Sequence, residues 1–137
     1  MAVVVDTSVL YALVDTNDAA HDRSRDALSG ELEAVIVPQP TLPEVCYLIG
    51  SRFGATHEAE FVRLLASSDW RLEPLTDADL PRVAHLMRMY ADARIGFVDA
   101  SVVAIAERLG VVRIYTLDRR HFGMIRPLHA DAFTLMP

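Results

Sequence analysis

The chain has 137 residues, 52% of them apolar, a net charge of −6 and one cysteine. That length suits one domain with a real core, and the apolar share excludes a disordered chain. No apolar run approaches the ~20 residues of a membrane-crossing helix, and the single Cys46 allows no internal disulfide, which fits a reducing compartment.

Met1-Ala2 leads straight into an apolar run, without the basic segment and separate apolar core of an export signal. A cytoplasmic protein with no membrane partner is expected. The charge is uneven: residues 1–81 carry −9 and residues 82–137 carry +3, and every fixed cation is Arg. Arg grips phosphate in a bidentate fork, although a GC-rich coding bias produces the same composition.

Val3-Val4-Val5 is β-branched with no polar alternation, so it predicts a strand covered on both faces, as in a parallel sheet. Asp6 sits at its carboxyl end, the edge where open α/β sheets bind ligands. Alone, Asp6 reads equally as a turn or capping acid. Ser8 is placed to cap the next helix, whose apolar positions are Val9, Leu10 and Leu13. A polar turn at 15–18 separates it from a second helical pattern over about 19–28 that stops near Gly30. Asp15, Asp18, His21 and Asp22 read there as turn and surface residues rather than metal ligands.

Residues 33–38 predict a second buried strand, and Pro38, Pro40 and Pro43 mark its end and a helix start. That helix carries Leu42, Val45, Leu48, Ile49 and Phe53 and stops at Gly54. Cys46 lies among them as a packing residue. Glu44 is in the first turn, on what reads as the inward side, and an ordinary surface Glu at a helix start is the equal alternative. A further helix begins at Thr56 with Phe61, Val62, Leu64 and Leu65 as its stripe. Residues 70–75 predict an edge strand. Thr76 and Asp79 resemble a capping box before a helix with Leu80, Val83, Leu86, Met87 and Tyr90.

After a loop at 92–98, Asp99 starts the clearest helix of the chain, 100–109, ended by Gly110. Asp99 shares a face with Val102 and Val103, where an acid is costly unless paired or metal-bound. Residues 111–116 predict a central strand, and Asp118 follows it closely. A turn or short helix over 119–122 and a last strand over 133–136 complete the chain.

This order predicts an α/β sandwich: a five-stranded, mainly parallel sheet flanked by helices in a single domain spanning 1–137. Right-handed crossovers bring the carboxyl ends of parallel strands to one edge. That edge would collect Asp6, Glu44, Asp99 and Asp118, whose crowding raises carboxylate pKa values and is relieved by a hard divalent cation. All-oxygen ligation suits Mg²⁺ or Mn²⁺ rather than Zn²⁺. His57, His85 and His129 fall on predicted surfaces or ends. Such a cation does phosphoryl chemistry. Without a phosphate-cradling glycine loop, the phosphate would come from a nucleic acid.

Val-Asp-Thr-Ser around Asp6, Pro-Glu-Val around Glu44, Gly-Phe-Val-Asp-Ala around Asp99 and Tyr-Thr-Leu-Asp-Arg around Asp118 resemble PIN-domain ribonucleases, specifically VapC toxins of toxin–antitoxin pairs. The resemblance covers essentially the whole chain and implies a Rossmann-like, three-layer fold. It implies Mg²⁺, with Mn²⁺ able to substitute, held chiefly by Asp6 and Asp99, with Glu44 and Asp118 completing the catalytic site. Thr7, Ser8 and Thr116 would be supporting hydroxyls. It further implies a structured RNA substrate (transfer or ribosomal), a homodimer, and a VapB-type antitoxin covering the cleft. Arg113, Arg119, Arg120 and Arg126 are candidates for RNA-backbone contacts. Haloacid-dehalogenase phosphatases place a second acid where Ser8 stands, and receiver domains need a Lys that this chain lacks. The remaining alternative is a partner-binding PIN-like domain without catalysis.

Overall fold

The computed structural model describes residues 1–137. Five strands, β1 (Ala2–Val5), β2 (Ala34–Pro38), β3 (Arg71–Glu73), β4 (Arg113–Tyr115) and β5 (Thr134–Met136), form one sheet in the order β3-β2-β1-β4-β5. Every neighbouring pair is parallel. The seven helices are α1 (Thr7–Val14), α2 (His21–Ser29), α3 (Thr41–Phe53), α4 (Ala55–Ser67), α5 (Leu80–Met89), α6 (Phe97–Leu109) and α7 (Arg119–Met124).

Successive strand residues point to opposite faces, so one apolar run feeds two cores. Val4, Ile36 and Ile114 pack with Val83 and Leu86 of α5, Val102 and Val103 of α6, and Phe122 of α7. Val3, Val5, Val35, Val37 and Tyr115 pack with Val9 and Leu10 of α1, Val45 and Ile49 of α3, and Phe61 of α4. The sheet is therefore the middle of three layers. Val3, Val4 and Val5 are wholly buried, and each contributes about 1.5–3 kcal/mol relative to exposure. Cys46 is half-buried against the second core, as a packing residue should be.

Several boundaries differ from expectation. α1 begins at Thr7 with Asp6 in the N-cap position, so Ser8 is not the cap; its hydroxyl is engaged elsewhere, as described below. α6 begins at Phe97, two residues before Asp99, because Gly96 adopts the extended cap conformation. Asp15, expected on the surface, is buried. It accepts hydrogen bonds from the Tyr11 hydroxyl at 2.8 Å and the Asn17 N–H at 3.0 Å, which ties off the end of α1. On α4, Val62 and Leu64 are half exposed and only Phe61 is fully packed. The Asp79 carboxylate accepts from the Thr76 N–H at 2.9 Å, but it opens a 3-10 turn before α5 rather than the α-helix itself. No helix is long and apolar enough to cross a membrane.

The chain runs outward from β1 to β2 and β3, then returns over the sheet through α5 and α6 to β4. The direction of strand order reverses between β1 and β4. Open α/β sheets form a crevice at the carboxyl ends of such a pair, and Asp6 and Thr116 lie there.

Candidate active site

The first acid is fixed most tightly. Asp6 leaves β1 with its backbone N–H donating to the Tyr115 carbonyl at 2.9 Å, which continues the β1–β4 pairing by one residue. Its Oδ2 accepts from the Thr116 hydroxyl at 2.9 Å and from the Ser8 hydroxyl at 3.1 Å. Those hydroxyls in turn accept backbone N–H groups, Thr116 from Asp118 at 3.0 Å and Ser8 from Leu117 at 2.9 Å. A short polar relay thus links the acid after β1 to the turn after β4. Thr7 is buried, but its hydroxyl meets no partner and does not reach this relay.

The other Asp6 oxygen, Oδ1, is buried with no hydrogen-bond partner. An unpaired buried carboxylate oxygen is costly. Burial pushes the Asp6 carboxyl above the usual range, Thr116 and Ser8 oppose that shift, and the Glu44 carboxylate adds to it.

Asp99 projects from the first turn of α6. Burial first, then the neighbouring Asp6 and Asp118 carboxylates, raise its pKa from 3.8 to about 6. Burial leads both shifts, and carboxylates of separate segments add to them. Glu44 contributes to the same field, but its position corrects the sequence reading. It is exposed at the rim, not turned inward. There it lines an open cleft with Gln39, Pro43, Tyr47, Leu75 and Phe97. The cause is register on α3: the buried stripe is Thr41, Val45 and Ile49, and Glu44 lies one position off it.

Asp118 is the N-cap of α7, its Oδ1 accepting the His121 N–H at 3.0 Å. Its Oδ2 lies 2.7 Å from His121 Nδ1, and Asp99 Oδ2 lies 3.7 Å from the same nitrogen. His121 Nε2 is 2.9 Å from the Ala93 carbonyl. Donor atoms of Asp99, Asp118 and His121 lie within 4.8 Å of one another. Sequence reasoning missed His121. Its signal was the spacing Asp118-x-x-His121 at a helix start, which puts an N-cap acid and a side chain three residues on within reach.

The candidate arginines separate. Arg113 opens β4, and its guanidinium is committed to Glu31 in a bidentate pair of 3.2 and 2.8 Å beside the Tyr115 hydroxyl. It lies at the beginning of its strand, away from the acids. Arg119 donates to the terminal Pro137 carbonyl. Arg120 and Arg126 are exposed and form no ion pair, one in α7 and one just beyond it.

Four acids from four segments with an orphaned buried oxygen among them fit a hard divalent cation, which accepts carboxylate ligands and removes their repulsion. The donor set is oxygen-rich, with one imidazole in reach.

The PIN domain family model matches residues 3–125. The chain is 34% identical to ribonuclease VapC26 of Mycobacterium tuberculosis over 134 residues, covering 98% of this chain and 99% of that protein. The crystal structure of M. tuberculosis VapC20, described as a sarcin-ricin loop cleaving toxin, superposes with a TM-score of 0.80 at 22% identity over 86% of this chain and 91% of that one. VapBC2 of Rickettsia felis, solved bound to a DNA fragment from its promoter, gives a TM-score of 0.74 at 11% identity over 100% of both chains. With the acids gathered at the switch point of an all-parallel sheet and the match running almost end to end, this chain belongs to the PIN-domain family, on its VapC branch.

Proposed function

We propose that this chain is a Mg²⁺-dependent endoribonuclease, the toxin of a toxin–antitoxin pair, which hydrolyses a phosphodiester bond in a structured transfer or ribosomal RNA. The observation that carries the reading is the buried, unpartnered Asp6 Oδ1 beside Asp99, whose pKa stands at about 6. The identity to a VapC ribonuclease supports the nuclease class.

Asp6 and Asp99 would hold the cation, with Glu44 and Asp118 completing the site. Bound there, a divalent ion polarises a phosphate oxygen and lowers the pKa of a coordinated water. Ser8 and Thr116 keep Asp6 Oδ2 turned toward themselves and leave Oδ1 for the ligand. Glu44, at the open rim, would help position the attacking water. Arg119, Arg120 and Arg126 would meet the RNA backbone, whereas Arg113 is held by Glu31.

A homodimer and a VapB-type antitoxin over the cleft complete the proposal. Its support is the likeness to proteins solved as VapBC complexes, together with exposed apolar side chains such as Tyr47, Val62, Leu64 and Phe97. The test is cleavage of total RNA by wild type and Asp6→Asn, with Mg²⁺ and with EDTA. Cleavage by wild type with Mg²⁺ alone is expected. Equal cleavage in every arm would refute the proposal, and failure to bind Mn²⁺ in a titration would favour a domain that only binds partners.

A further inference from the structure

We propose that His121 is a nitrogen ligand of the divalent-cation site, forming with Asp99 and Asp118 a mixed carboxylate–imidazole donor set that favours Mn²⁺ over Mg²⁺. This rests on the metal-dependent reading above and deepens it.

The imidazole is oriented from behind. A carbonyl oxygen only accepts hydrogen bonds, so the 2.9 Å contact between His121 Nε2 and the Ala93 carbonyl places the ring proton on Nε2. Nδ1 then faces the carboxylates. A backbone carbonyl holding the far N–H is the arrangement that orients metal-bound imidazoles generally. Asp118 is prepared in the same way. Its Oδ1 is used as the α7 cap, which leaves Oδ2 for the site.

Nδ1 and Asp118 Oδ2 stand 2.7 Å apart, with Asp99 Oδ2 3.7 Å from Nδ1. Two such atoms that close share an electrophile: a proton on Nδ1 pairs them when no ion is bound, and a divalent cation displaces that proton. Adjacent ligands of an octahedral ion with bonds of about 2.1 Å lie about 3 Å apart, so both atoms can serve one cation with little movement. The buried Asp6 Oδ1, which has no partner of its own, independently marks the place as built for a ligand. Mg²⁺ is a hard ion that takes oxygen ligands, whereas an imidazole nitrogen favours first-row transition ions. Mn²⁺ combines that tolerance with the octahedral, oxygen-rich coordination that the carboxylates offer.

The other imidazoles are held elsewhere. His21 contacts the Ala12 carbonyl, His129 contacts the Val111 carbonyl, His57 lies beside the Phe53 ring, and His85 is exposed on α5. Nitrogen coupling to bound Mn²⁺ would therefore report His121.

The experiment loads the full chain, carrying ¹⁵N-labelled histidine, with Mn²⁺ alone and records its electron spin-echo modulation. Competition titration then gives the Mn²⁺/Mg²⁺ affinity ratio for wild type and His121→Asn. Imidazole nitrogen modulation is expected in wild type and not in His121→Asn, with the affinity ratio falling at least about tenfold. Should the variant fail to fold, the wild-type spectrum decides alone. Mn²⁺ bound with no nitrogen coupling overturns the His121 assignment and leaves the carboxylate site standing. A wild type that binds no Mn²⁺ removes both.

Discussion

Asp6 and Asp99, the two most buried of the candidate site acids, each weaken the fold when ionised. Each has a carboxyl pKa raised by burial, so ionising it costs more in the folded protein than in the unfolded chain. A folded pKa above the unfolded value stabilises at low pH and is lost as pH climbs. For Asp99 the stabilisation is complete below about pH 4 and lost as pH rises through about 6. Its side chain is 25% exposed, so Asp99→Asn should raise unfolding stability by about 1–3 kcal/mol at pH 7 in EDTA. The gain should vanish near pH 4. Thermal melts across that range check it, and a variant less stable than wild type at pH 7 in EDTA would sink the electrostatic account. Asp6→Asn should leave the melting temperature undiminished in EDTA while lowering Mg²⁺-dependent RNA cleavage by at least about 100-fold. A fall in both together would mean that Asp6 is structural.

At the scale of elements, the site depends on how β4 is anchored at its other end. Glu31, in the turn before β2, has a side chain only 4% exposed. It accepts from Arg113 in two hydrogen bonds and from the Tyr115 hydroxyl at 2.6 Å, which ties the start of β4 to the end of α2. The Arg113 bond first, with help from Tyr115, holds the Glu31 carboxyl down at about 2, and burial with the Glu31 bond pushes the Tyr115 hydroxyl to about 12. The sign is opposite to that of Asp99. The contribution is present above about pH 4.5 and lost as pH falls through about 2. Glu31→Gln should therefore cost about 3 kcal/mol at pH 7, read by urea unfolding, with Mn²⁺ affinity unchanged. A large loss of metal affinity would show that β4 transmits strain to the site. Gly54, between α3 and α4, holds φ 93° and ψ 173°, a conformation open essentially to glycine alone. Gly54→Ala should cost about 1–3 kcal/mol by the same measurement.

Across the whole molecule, the net charge of −6 conceals a division of labour. The candidate site acids meet at the switch point. The arginines free of ion pairs include Arg88, Arg94, Arg120 and Arg126, on the segments around α5, α7 and the turn between α5 and α6. Contacts from Arg126 N–H to the Tyr90 hydroxyl and from His121 to the Ala93 carbonyl bring those segments together beside the acids. Reversing Arg120 and Arg126 to Glu should weaken RNA binding at every sequence and flatten its salt dependence by about one unit of slope per lost phosphate contact. Filter binding across a salt series measures this. An unchanged slope would place the RNA elsewhere.

The sequence by itself determined the layers and the acids. Val3-Val4-Val5 has no polar alternation because both of its faces are buried. Asp6, Asp99 and Asp118 were legible because each interrupts an apolar segment at a strand end or helix start. Only the tertiary structure decided what surrounds them. Whether Glu44 faces inward depends on one position of helical register against the sheet, and it falls on the rim. Whether Arg113 is available depends on Glu31, eighty-two positions earlier in the chain. His121 meets Asp118 because α7 turns it back toward that acid and the Ala93 carbonyl. Patterns along a chain record which residues are buried. Which buried residues meet is settled when distant segments pack.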